Sequence, residues 1–287
     1  MTTTLAALST HELSTSRGTL RYHKIGVGPD LLLLHGSGPG VTGLRNFSGN
    51  LTFFSQHFRC LVLEFPGFGV SDDFGAHPMV TALDAVRELV DGLSLTDLSI
   101  IGNSMGGGVA LSYAAAHPAN VGRLVTIGGI GKNIVSSGPS EGIRLLQEFT
   151  DAPSRERLVR WLHSMVYDPA LITDELIEER WEQATVPTTL GSARRMYGSE
   201  AFAAMIAAME NSDSPPPWSM LHKVTAPTLV TWGRDDRVSP LDMALIPMRT
   251  IPNAELHVFP RCGHWAMIEQ KAAFENVVSA FLHRPVR

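Results

Sequence analysis

Apolar residues follow two rhythms along the chain. Short unbroken runs alternate with longer stretches in which apolar positions recur every three or four residues. Residues 30–35 contain four leucines in a row, Leu31 to Leu34, and read as a fully buried strand. Residues 60–64, 98–101, 123–127, 228–232 and 255–259 read as further strands, and 20–26 alternates enough for an edge strand. Helical spacing marks residues 43–57, 81–93, 109–116, 241–249 and 271–282; in the second of these Ala82, Ala85, Val86, Leu89 and Val90 share one face. Strands alternating with helices predict an α/β fold, a mostly parallel central sheet flanked by helices.

The rhythm changes from about residue 133 to 220. No strand-like run stands out, and helices are expected over 141–149, 154–166, 173–184 and 200–210. A crossover between parallel strands needs one helix, so several argue for an inserted helical lid. The expected organisation is a first core part over 1–132, the lid over 133–220 and a second core part over 221–287. Ser214-Pro215-Pro216-Pro217 reads as a stiff break at the lid's end.

Composition narrows the function. With 44% hydrophobic and 18% charged residues, the chain has the balance of an ordinary soluble protein. Its net charge of −5 gives no electrostatic case for nucleic acid or an anionic membrane. No apolar run approaches the roughly twenty residues that cross a bilayer. Residues 1–13 lack a basic stretch followed by an apolar block, so no signal peptide is expected. Cys60 and Cys262, the only cysteines, read as free thiols in a reducing compartment, with the cytoplasm as the expectation. No His, Cys, Asp or Glu cluster has metal-ligand spacing, so neither metal nor organic cofactor is expected.

The chemistry centres on Gly102-Asn103-Ser104-Met105-Gly106. Strand, sharp turn and helix in that order are the setting of a nucleophile elbow, and small neighbours let the backbone turn tightly. A serine hydroxyl needs a base, and the base an orienting acid, in the order serine, acid, histidine for this setting. Asp236 and His264 follow Ser104 and sit just past strand ends, where loops at the carboxyl side of a parallel sheet converge. Asp235 is the rival acid; Asp236 is preferred as the third residue after Gly233. His35, opening His35-Gly36-Ser37-Gly38-Pro39-Gly40, is better suited to organising that loop than to base catalysis. The backbone N–H groups of Met105 and Ser37 are the natural oxyanion donors.

These segments resemble the α/β-hydrolases and, more closely, the meta-cleavage-product hydrolases. The resemblance spans about 18–282, is weakest in the lid, and rests on the glycine loop, Gly102 to Gly107, Trp232-Gly233-Arg234-Asp235-Asp236 and Cys262-Gly263-His264-Trp265. It implies hydrolysis of a carbon–carbon bond in a 2-hydroxy-6-oxo-hexa-2,4-dienoate formed by extradiol opening of a catechol. It also implies a small-molecule substrate and a homodimer or higher homo-oligomer. By position, Ser104, His264 and Asp236 match the triad, while Asn46 and Asn103 match polar contacts to the dienoate. Arg180 matches a lid arginine for the carboxylate and 2-oxo group, and Trp265 the aromatic beside the histidine. Arg194 and Arg195 are rival carboxylate ligands.

The chain departs from the family at Leu44-Arg45, before Asn46, and in the length between Arg180 and Trp232. Lid residues Leu145, Leu146, Phe149, Trp161, Met165 and Trp181 suit either a pocket wall or lid core. Two other readings compete: an esterase or lactonase using the same three residues, and a ligand-binding module on a hydrolase scaffold.

Overall fold

Four leucines make β3 (Asp30–Leu34) a strand covered on both faces, and it lies inside the sheet between parallel neighbours β4 (Arg59–Glu64) and β5 (Leu98–Asn103). The computed structural model describes residues 8–211 and 217–285. Its sheet has eight strands in the order β1-β2-β4-β3-β5-β6-β7-β8. Here β1 is Ser9–Thr15, β2 Gly18–Ile25, β6 Val121–Ile127, β7 Thr228–Gly233 and β8 Ala254–Phe259. From β4 to β8 every pairing is parallel; β1 and β2 add an antiparallel edge.

Alternation along the strands sorts the core into two layers. Leu32, Leu34, Ile100, Leu124 and Val230 face α2 (Pro78–Gly92) and α3 (Met105–Ala116), whose Ala82, Ala85, Val86, Leu89 and Val109 are fully buried. Leu31, Leu33, Ile101, Val125 and Leu229 point the other way, onto α1 (Gly43–Phe54) and the C-terminal helix. Thr42 caps α1 by accepting from the Arg45 N–H at 3.1 Å.

Between β6 and β7 stand α4 (Glu141–Asp151), α5 (Arg155–Met165), α6 (Asp174–Ala184), α7 (Pro187–Tyr197) and α8 (Ser199–Glu210). Ser140, Ser154 and Thr173 cap the first three through their hydroxyls. Leu146, Phe149, Leu158, Trp161, Leu162 and Met165 from α4 and α5 join the layer that holds α1. The chain then closes with α9 (Leu245–Thr250), α10 (Ala266–Glu269) and α11 (Lys271–Leu282). No helix among the described residues is long and apolar enough to cross a membrane.

The elements that go beyond the sequence reading include the short α10, β1, α7 and the start of α3. β1 is polar at most positions and half-buried, so nothing in Ser-Thr-His-Glu-Leu-Ser-Thr marks a strand; its register with β2 makes it one. α7 starts at a proline and carries few apolar residues, so its helical period is faint. α3 begins at Met105, four residues before the apolar pattern, because Gly106 to Gly108 hide its first turn. The expected break at Ser214-Pro215-Pro216-Pro217 lies, but for its last residue, outside the described residues.

Candidate active site

β5 runs into Ser104 and α3 starts at the next residue. Ser104 has φ 52° and ψ −115°, a strained backbone for a side-chain-bearing residue, fixed by its N–H donating to Ile127 O at 2.9 Å. The close crossing of α3 over β3 explains Gly106, where a Cβ would stand 2.2 Å from Leu34 O. At the helix start the Met105 N–H has no partner within the helix, and the helix dipole gives this end partial positive charge.

β7 ends at Gly233, and the turn beyond it carries Asp236. Asp236 Oδ1 accepts the N–H groups of Val238 and Ser239, each at 2.8 Å, which fixes the carboxylate plane. Its Oδ2 accepts from His264 Nδ1 at 2.7 Å. Both side chains are almost fully buried, at 2% and 1% exposure, so the pair is shielded from water. Asp235 instead pairs with Arg234. The His264 loop is tied down twice: its own N–H donates to Met165 O at 2.7 Å, and the Gly263 N–H donates to Glu269 at 2.7 Å. Burial pushes the Glu269 carboxyl up, against the N–H groups of Tyr167 and Gly263 that favour its charge.

Ser104 and His264 both line one cavity of about 320 Å³, yet Ser104 Oγ forms no hydrogen bond to the imidazole. Gly129, at φ +72°, packs on the serine: a Cβ there would lie 2.4 Å from Ser104 Cα and 2.9 Å from its Oγ.

The same cavity is lined by Ser37, Met105, Asn46, Asn103, Arg180 and Trp265, so of the triad, oxyanion and substrate-contact residues expected from the sequence all but Asp236 reach it directly. Ser37 Oγ is bonded to the Tyr197 hydroxyl at 2.6 Å. His35 is buried and holds the glycine loop, its Nδ1 donating to Gly36 O at 2.6 Å while Nε2 accepts from the Phe65 N–H at 3.0 Å. Burial lowers its basicity, which suits that neutral bridge. Asn46 accepts weakly from the Gly36 N–H at 3.5 Å, leaving its Nδ2 unpartnered. The Asn103 amide nitrogen donates to Ile127 O at 3.1 Å, so part of its capacity ties β5 to β6.

Arg180 is 3% exposed and, among the described residues, no carboxylate forms an ion pair with it. One Nη donates to Pro39 O at 3.3 Å, its guanidinium lies 5.0 Å from the Trp265 ring centre, and its Nε has no partner. Burial pulls its pKa down to about 10. Its acidic neighbours are engaged elsewhere, Glu179 with Arg45 and Glu178 with Arg155. The rivals are placed differently: Arg195 pairs with Asp73, and Arg194 is exposed. A buried cation with free donors facing a cavity is a receptor for an anion.

Sequence reasoning missed Tyr197, which ends the unpredicted α7 and reaches Ser37 across 160 positions. Of the ambiguous lid residues, Leu146, Trp161 and Met165 line the cavity, while Phe149 is core and Leu145 and Trp181 pack against it. Helical spacing could not sort them, since wall and core share one face. Cys60 and Cys262 are free and buried, and burial pushes the Cys60 thiol up to about 12.

Residues 29–271 match the family described as alpha/beta hydrolase fold. A 2-hydroxy-6-oxononadienedioate/2-hydroxy-6-oxononatrienedioate hydrolase of Cupriavidus pinatubonensis is 39% identical, over 88% of this chain and 86% of its own. A 2-hydroxy-6-oxo-6-phenylhexa-2,4-dienoate hydrolase of Burkholderia cepacia is 34% identical over 98% and 96%. Among solved structures, the meta-cleavage product hydrolase of Pseudomonas fluorescens IP01 superposes with a TM-score of 0.83 at 29% identity, covering 95% of this chain and 97% of that one.

Proposed function

The chain belongs to the alpha/beta hydrolase family and, within it, to the meta-cleavage-product hydrolases, which cleave carbon–carbon bonds; from that premise we propose how its residues divide the reaction. The substrate is a 2-hydroxy-6-oxo-hexa-2,4-dienoate with a substituent at C6. Arg180 and Asn46 hold the carboxylate and 2-oxo end, with Asn103 beside them and Trp265 stacked behind the guanidinium. The dienol first ketonises, which places an electron sink next to the bond to be broken.

Ser104 Oγ then attacks the C6 carbonyl carbon as its proton passes to His264 Nε2. Asp236, fixed by two backbone donors, keeps the His264 proton on Nδ1 and stabilises the imidazolium. The N–H groups of Ser37 and Met105 receive the oxyanion. As the tetrahedral intermediate collapses, the C5–C6 bond breaks. Its electron pair moves through the C3–C4 double bond onto the 2-oxo oxygen, which takes the proton from His264. The 2-hydroxypenta-2,4-dienoate leaves, and a water deprotonated by His264 hydrolyses the acyl-serine. The serine-to-imidazole hydrogen bond is of the kind that tightens only with substrate in place.

Met79, Ile143, Leu146, Val238 and Met243 also line the cavity and offer an apolar wall for the C6 group. That wall favours a neutral alkyl or aryl substituent, as in the Burkholderia cepacia relative's named substrate.

The observation that carries this reading is a buried Arg180, with no ion-pair partner among the described residues, lining the same cavity as Ser104 and His264. An ordinary esterase has no use for such a cation. The test is loss of the yellow dienoate colour with a panel of C6 groups. Wild type bleaches the alkyl and aryl members, and Ser104→Ala does not. Fast turnover of aryl esters with no bleaching would replace this reading by an esterase or lactonase.

A further inference from the structure

Among the described residues, three cavity-lining side chains carry a fully buried nitrogen with no hydrogen-bond partner: Asn46 Nδ2, Arg180 Nε and Trp161 Nε1. In the form each takes here, all three are donors. Trp161, which the sequence offered only as pocket wall or lid core, has no part in the proposed mechanism. It is 1% exposed, and a buried indole N–H normally finds an acceptor.

Its surroundings place it at the cationic end of the cavity. The ring edge packs on Gly38, where a Cβ would stand 2.4 Å from Cη2 and 2.6 Å from Cζ2. The next residue, Pro39, accepts from Arg180, and the Trp265 ring that Arg180 covers meets Trp161 edge-on at 6.3 Å. Glycine at 38 therefore lets an indole stand where a larger neighbour would push it out of the corner shared with Arg180.

Building on the proposed function, we propose that the Trp161 indole N–H binds an oxygen of the substrate's carboxylate–2-oxo end, as a third donor beside Arg180 and Asn46. An indole is donor-only, so it prefers an anionic or carbonyl oxygen to any group that must itself donate. Such a contact is made in the ground state as in the transition state, so it acts on KM more than on kcat.

Trp161→Phe keeps most of the ring and removes the N–H. The expected result is a rise of about tenfold in KM for the dienoate with kcat little changed, the size of one hydrogen bond to a charged group. Hydrolysis of p-nitrophenyl acetate, which has no carboxylate, loses far less than the dienoate reaction, and Tm holds. An unchanged KM for the dienoate, or an equal loss on both substrates, overturns the proposal. A second measurement needs no folded variant: in wild type, the Trp161 indole proton resonance moves downfield when 2-oxobutanoate is added, and no movement overturns the proposal. If wild type fails to bleach the dienoate, the proposed function falls. The donor is still decided by the indole resonance and by the inhibition of ester hydrolysis by 2-oxobutanoate in wild type and Trp161→Phe.

Discussion

Asp236→Asn is the sharpest probe of the proposed mechanism, because the backbone dictates how the amide must sit. Oδ1 of the carboxylate accepts two N–H groups, from Val238 and Ser239, at 2.8 Å each. An amide has only one oxygen, and turning its NH2 toward two backbone donors would leave all of them unpaired in a buried place. The oxygen therefore stays on the backbone side, and the NH2 faces His264 Nδ1. That nitrogen must then accept, which puts the imidazole proton on Nε2, the atom meant to take the proton from Ser104. The fold is undisturbed but the base is in the wrong tautomer. The analogous change in serine proteases costs about 10⁴ in kcat, or about 5 kcal/mol of transition-state stabilisation. The same order is expected here. The assay is single-turnover loss of dienoate colour, alongside a thermal melt. Loss of less than about tenfold, with Tm held, would show that Asp236 does not set the tautomer, and the assignment of the acid would fail.

Two further outcomes follow from local geometry. Gly129→Ala places a methyl 2.4 Å from Ser104 Cα at a φ of +72°; the elbow must shift, and kcat falls by about 10² or more while binding of the dienoate to the folded variant persists. Glu64 is 1% exposed; burial opposes its charge, but the hydrogen bond with His23 and the N–H groups of Gly43 and Leu44 hold its carboxyl below the usual range. A depressed carboxylate stabilises the fold above its unfolded pKa, and that contribution is lost as pH falls through the folded value. The drop in Tm between about pH 5 and pH 3 is therefore shallower in Glu64→Gln; equal slopes would remove Glu64 from the account.

Much of this protein is legible in its residue pattern, for identifiable reasons. Buried parallel strands are continuous apolar runs, so β3, β4, β5 and β7 announce themselves, and strand-end loops of a parallel sheet share one side. That places Ser104, Asp236 and His264 near one another before any coordinates are known. Chain order and spacing also separate the serine, acid and base roles. Polar or glycine-rich elements leave no such trace: β1 is a strand only because β2 offers it a register, and α7 is a helix only in contact with its neighbours.

Only the tertiary structure could decide which polar groups are left without partners. Sequence preferred Arg180 but left Arg194 and Arg195 as rivals; in the fold Asp73 claims Arg195, Arg194 is exposed, and Arg180 is buried with no ion-pair partner among the described residues. Trp161, Phe149 and Leu146 share the spacing of a lid core; packing alone sends Phe149 inward, brings Leu146 and Trp161 to the cavity wall, and leaves the Trp161 N–H without a partner. Local sequence sets periodicity, and with it elements and their order. Whether a buried donor is satisfied depends on atoms contributed by residues far away in the chain, and at this site that balance selects what the cavity binds.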